Sequence, residues 1–123
     1  MPRTEKDEIR EERILMEIIV DAYGQEEQAM GWYYYLEGNL SFPFKARCIK
    51  ERSISPIRIG QEFEVVKMAA EDDCIHDMFV KMLWAGQALA VPLMQLEPIA
   101  SDEKTREAIE DWHYWIARGY ELG

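Results

Sequence analysis

Between residues 59 and 96 apolar and polar side chains alternate, the rhythm of strands buried on one face. Residues 60–68 and 78–84 carry it most clearly, and a third short run, 88–93, follows the turn signal Ala85-Gly86-Gln87. Pro92 inside that third run removes a ladder donor, so it belongs on an edge strand or at a bulge. Between the first two runs lies Glu71-Asp72-Asp73-Cys74-Ile75-His76-Asp77, with four carboxylates in seven residues. Like charges held close together at a turn repel, and a cation placed among them relieves the repulsion. The alternation asks for a sheet, and the acids at its turn ask for a positive charge.

Helical spacing flanks the sheet. Thr4-Glu5-Lys6-Asp7 has the form of a helix start, a hydroxyl followed by a carboxylate. Ile14, Leu15, Ile18, Ile19 and Ala22 then recur on one side, with Glu11, Glu12, Arg13, Glu17 and Asp21 on the other, and Gly24 reads as the stop. Residues 25–36 give a second helix with Ala29, Trp32, Tyr33 and Leu36 inward. Gly31 costs that helix about 1 kcal/mol relative to alanine, which suggests that another backbone comes close there. Glu37-Gly38-Asn39 reads as a break, and Ser41-Phe42-Pro43-Phe44 as an extended approach to a strand over 45–50. Cys48 in that strand reads as a small core residue. Residues 91–96 close the strand region, and 98–101 lead to a last helix capped by Ser101. Its inward stripe is Ala108, Ile109, Trp112, Trp115 and Ile116, and Gly119 ends it.

The fold class is therefore α+β. Four to five strands form an antiparallel sheet or a small, partly open SH3-like β-barrel, flanked by two N-terminal helices and one C-terminal helix. One domain spans 1–123, with a helical part over 1–37, the sheet over 44–96 and the last helix over 101–118. A chain of 123 residues can bury a core without disulfide or metal staples. Its net charge of −10 argues against nucleic acid, whose phosphates need a basic patch, and admits cations or basic proteins as partners. No apolar run is long enough to span a bilayer, and Met1-Pro2-Arg3-Thr4-Glu5 does not have the form of a signal peptide. Cys48 and Cys74 lack any paired spacing, which suits a reducing cytoplasm.

Hard oxygen ligands are what calcium takes, about six to eight of them from carboxylates, amides, backbone carbonyls and water. Glu71, Asp72, Asp73 and Asp77 offer such oxygens in one short segment, although the spacing is not that of an EF-hand and the simpler reading of an acid-rich turn is a solvated one. Glu37 and Asn39 make a second oxygen-rich corner, whose simpler reading is a helix C-terminus. Glu110 and Asp111 lie late in the last helix, where a salt bridge to a basic neighbour is the common outcome. Cys48, Cys74 and His76 lack the spacing of a transition-metal site. His113, between Trp112 and Tyr114, reads as a packed or surface residue. No nucleophile elbow, phosphate-cradling loop or metalloprotease helix occurs, so an enzyme is not expected.

Three stretches carry a family resemblance. Gly31-Trp32-Tyr33-Tyr34-Tyr35-Leu36-Glu37 with Asn39-Leu40-Ser41-Phe42-Pro43-Phe44 resembles the small acidic calcium-binding proteins typified by the cyanobacterial protein CcbP. So do Val91-Pro92-Leu93-Met94-Gln95-Leu96 and Ala108-Ile109-Glu110-Asp111-Trp112-His113-Tyr114-Trp115. The resemblance implies a cytosolic protein that binds Ca²⁺ without an EF-hand and serves as a buffer or sensor, with affinity of about 10⁻⁷ to 10⁻⁵ M if it is a sensor. It also implies an aspartate beside the aromatic block, where this chain has Gly38, leaving the corner at Glu37 and Asn39 one carboxylate short. The expected ligands are Glu37, Asn39, Glu71, Asp72, Asp73 and Asp77, and their affinity should fall as pH approaches the carboxylate range. The competing expectation is a metal-free protein-interaction module gripping its partner in a groove lined by Trp32, Tyr34 or Tyr35.

Overall fold

The computed structural model describes residues 5–122. Five strands form one antiparallel sheet: β1 (Phe44–Cys48), β2 (Glu62–Met68), β3 (Phe79–Trp84), β4 (Gln87–Pro92) and β5 (Leu96–Ala100), in the order β4-β3-β2-β1-β5. The β3–β4 hairpin closes through Ala85-Gly86, both with positive φ (48° and 81°), as a two-residue turn matched to strand twist requires. In β2 the register shifts between Val65 and Lys67, so that Val65 and Met68 are both buried.

Pro92 lies on β4, an edge strand, as its missing N–H demands. The second edge departs from expectation. Pro98 lies inside β5, opposite Ala46 of β1, rather than in a lead to the last helix. An outer strand tolerates proline because its missing donor can face away from the ladder. A short 3₁₀ turn, Leu93–Gln95, separates β4 from β5 where the sequence suggests one continuous run.

Among the helices, α1 (Glu8–Arg13) is capped by Asp7, whose carboxylate accepts from the Arg10 N–H at 3.0 Å; Thr4 lies outside the described residues. The helix then widens into a π turn, Ile14–Ile18, which buries Ile14 and Ile18 and leaves Leu15 outside instead of inside. Gly24 does not stop α1. It has extended backbone (φ −130°, ψ 168°) and starts α2 (Gln25–Asn39). That helix runs through Glu37, Gly38 and Asn39 rather than breaking there, and buries Ala29, Trp32, Tyr33 and Leu36 as the spacing predicts. At Gly31 a Cβ would collide with the Ile18 carbonyl oxygen, which explains the glycine.

The last helix, α3 (Glu103–Ala117), is capped by Asp102 and not by Ser101. Asp102 accepts from the Thr105 N–H and from the Ser41 hydroxyl, each at 2.7 Å. The Ser41 bond, then Thr105, holds its carboxyl down at about 2. Gly119 (φ 96°) ends the helix region. Trp32 of α2 packs on Trp112 and Trp115 of α3, with ring centroids 5.0 and 5.5 Å apart. This aromatic wedge sets the separation of α2 and α3.

Candidate metal-binding corner

The outer side of α2 faces a 3₁₀ turn, Glu71–Cys74, that follows β2. Two consecutive tyrosines of α2 hold it. Tyr33 donates its hydroxyl to the Ala69 carbonyl at 2.8 Å, and Tyr34 donates to Glu71 Oε1 at 2.9 Å. Glu37 lies one helical turn further along α2. Burial pushes the Tyr33 phenol up to about 12, with the charges of Glu37, Cys74 and Glu71 adding to it. The Tyr34 phenol is also raised, first by its bond to Glu71 and that group's charge, then by desolvation and Glu37. Glu37 and Glu71, distant in sequence, thus act on the same pair of phenols. Among the described residues none of Glu37, Glu71, Asp72 and Asp73 has a Lys, Arg or His ion-pair partner, and all four are exposed.

The two other expected ligands are placed differently. Asp77 Oδ2 accepts from Arg52 Nη1 at 2.9 Å, and its Oδ1 accepts from the Met78 N–H at 2.8 Å. Asn39 donates its Nδ2 to the Tyr35 carbonyl at 2.7 Å, which leaves its Oδ1 available. Among the described residues no three Asp, Glu, His or Cys side chains are gathered as a metal cluster. The structure therefore brings Glu37 and Glu71 to one corner, sets Asp72 and Asp73 on the adjoining turn, and ties Asp77 to an arginine. The sequence signal for this corner is the tyrosine pair: at four and three residues before Glu37, Tyr33 and Tyr34 share its helix face.

The remaining candidates are structural. Asp111 is fully buried and accepts from Arg10 Nη1 and Arg13 Nη2, both at 2.7 Å, and from the Tyr35 hydroxyl at 2.8 Å. Arg10 and Arg13, three apart on α1, are the basic neighbours that its position suggests. Glu110 Oε1 lies 3.7 Å from Arg10 Nη2. His113 Nε2 is 3.2 Å from the Leu93 carbonyl, and burial pushes its pKa down. Cys74 is buried with its Sγ 3.4 Å from the Phe79 nitrogen, and burial pushes its thiol up. Of the three aromatics expected to line a groove in an interaction module, Trp32 is fully buried, Tyr35 is tied to Asp111, and Tyr34 is exposed with its hydroxyl on Glu71.

An open antiparallel sheet, a tryptophan-packed helix pair and a corner of exposed carboxylates define a small acidic α+β protein. The chain belongs to the CcbP family: the family model, described as calcium binding, matches residues 12–116. It is similar to the crystal structure of Anabaena CcbP, with 45% sequence identity and a TM-score of 0.86 over 98% of each chain. It is similar too to a calcium binding protein in the calcium-binding form, with 44% identity and a TM-score of 0.85 over 98% of each chain. No curated protein matches it. The likeness carried by the aromatic block and the α3 segment thus extends over nearly the whole chain, N-terminal helix included. Among the described residues no helix is long and apolar enough to cross a membrane.

Proposed function

We propose that this chain binds Ca²⁺ at the junction of α2 with the Glu71–Cys74 turn, and that it serves in the cytoplasm as a buffer or sensor of the ion and not as an enzyme. The family description and the calcium-binding form of a relative support the ion's identity. One observation carries the location: Tyr33 and Tyr34 bond the turn at Ala69 and Glu71, one helical turn from Glu37, and among the described residues neither Glu37 nor Glu71 has an ion-pair partner. Glu37, Glu71, Asp72 and Asp73 supply charge; Asn39, two residues beyond Glu37 and so on another face of α2, stands outside this set. Asp77 joins only if it gives up Arg52, so its contribution is the smallest of the carboxylates. The short turn closes on the ion as carboxylate repulsion is relieved, which couples binding to local ordering. Both cysteines are free, in keeping with a reducing compartment.

Calorimetric titration with Ca²⁺ and, separately, Mg²⁺ tests this reading. Heats indistinguishable from dilution at millimolar calcium remove it. Saturable heats that persist unchanged in Glu37→Gln/Glu71→Gln keep the ion but move the site elsewhere.

A further inference from the structure

Five of the eleven large apolar side chains exposed among the described residues fall between positions 9 and 23: Ile9 (77% exposed), Leu15 (56%), Met16 (65%), Val20 (50%) and Tyr23 (88%). Scattered apolar residues on a surface need no explanation, but a concentration of them does. The π turn helps to produce it, since Ile14 and Ile18 go into the core while Leu15 and Met16 stay out. Ile9, Glu12 and Met16 are shared by two shallow depressions of about 300 and 290 Å³ that adjoin along α1.

The rim of this patch is acidic. Glu8, Glu12 and Glu17 line it, and among the described residues Glu12 and Glu17 have no ion-pair partner. The nearby cations are engaged: Arg13 reaches Asp111 at 2.7 Å, and Lys6 lies 3.8 Å from Glu8. An apolar ridge edged by uncompensated carboxylates fits a surface of opposite pattern. We propose that this face of α1 and the π turn docks a basic amphipathic helix of a partner protein. Its apolar side chains lie on Ile9, Leu15 and Met16, and its lysines or arginines meet Glu12 and Glu17. A second copy of this chain would set the same glutamates against one another across a two-fold axis. An anionic lipid surface would be repelled for the same reason. The proposal does not depend on calcium binding.

The test titrates the full chain with a synthetic helix of about 18 residues built from leucine and lysine, against a control with glutamate for every lysine. Fluorescence anisotropy of the labelled peptide gives the affinity, and sedimentation gives the oligomeric state. The expected result is saturable binding of the basic peptide, weaker by about tenfold or more in Ile9→Ser/Met16→Ser and again in Glu12→Lys/Glu17→Lys. All four positions are exposed, so both variants should retain the wild-type circular dichroism. The proposal is overturned by equal affinity in Ile9→Ser/Met16→Ser, because the peptide then binds acids elsewhere, or by equal binding of the glutamate control. It is overturned too if the chain alone is a dimer that Ile9→Ser/Met16→Ser makes monomeric, because the patch is then a self-interface.

Discussion

Asp111 lies fully buried between two arginines and a tyrosine, whereas Glu37 and Glu71 meet tyrosines and water with no ion-pair partner among the described residues. Both places gather negative charge near the aromatic block of α2, and Tyr35 serves the first while Tyr33 and Tyr34 serve the second. At Asp111 the counter-charge is part of the chain, so the carboxylate ties α1 and α2 to α3. A buried pair of this kind owes most of its effect to the cost of leaving one partner alone. At the Glu37–Glu71 corner no described residue supplies a counter-charge, and both carboxylates are exposed. A carboxylate whose cation is built in stabilises the fold, and one whose cation is absent is available for binding.

The comparison breaks most sharply if Asp111 is removed. Asp111→Ala leaves two partly buried guanidinium groups and the Tyr35 hydroxyl without their acceptor, and should lower the unfolding free energy by about 3 kcal/mol. Urea denaturation reads that loss, and calcium affinity in the folded variant should stay within about twofold of wild type. The reciprocal change is Glu37→Gln/Glu71→Gln. It should raise the calcium dissociation constant by about a hundredfold, read by calorimetry, while the metal-free midpoint of unfolding rises slightly because repulsion has gone. Equal losses of stability from the two changes would erase the distinction. Asp77→Asn sharpens it, since Arg52 already neutralises that carboxylate: its effect on calcium affinity should be about threefold.

The smallest effect is on the phenols. Because the folded Tyr33 titrates near 12 against an unfolded value of about 10, folding protects its proton. That stability is fully present below about pH 10 and is lost as pH rises through 12. Calcium at the corner offsets the charges of Glu37 and Glu71, so it should move the Tyr33 titration downward by about half a unit, followed by ultraviolet absorbance in a Tyr35→Phe background that removes the phenol bonded to Asp111. An upward movement, or none at saturating calcium, would separate the ion from the tyrosine pair.

Much of the fold was legible because it rests on local chemistry. The stripe Ala29, Trp32, Tyr33, Leu36 is buried as spaced, Gly31 sits under a crossing backbone, and Pro92 marks an edge. What was hidden depends on partners distant in sequence. Pro98 reads as a loop until β1 pairs beside it, and Asp102 displaces Ser101 as the cap because Ser41 arrives to bond it. Helical spacing turns Leu15 inward, but the π turn does not obey that spacing. At the site, composition picked out the acids but could not sort them. Arg52 claims Asp77, and Tyr34 holds Glu71, through contacts spanning 25 and 37 residues.

The π turn has a consequence for the buried carboxylate. A π turn is an α-helix with a residue added, and each residue of an α-helix advances the side chains by about 100° around the axis. Ile18 is anchored beneath Gly31, so removing one residue from 14–18 would rotate everything before it. Arg10 and Arg13 would then swing off Asp111, although neither they nor their acceptor had been altered. The length of that one turn is the phase setting of the N-terminal helix.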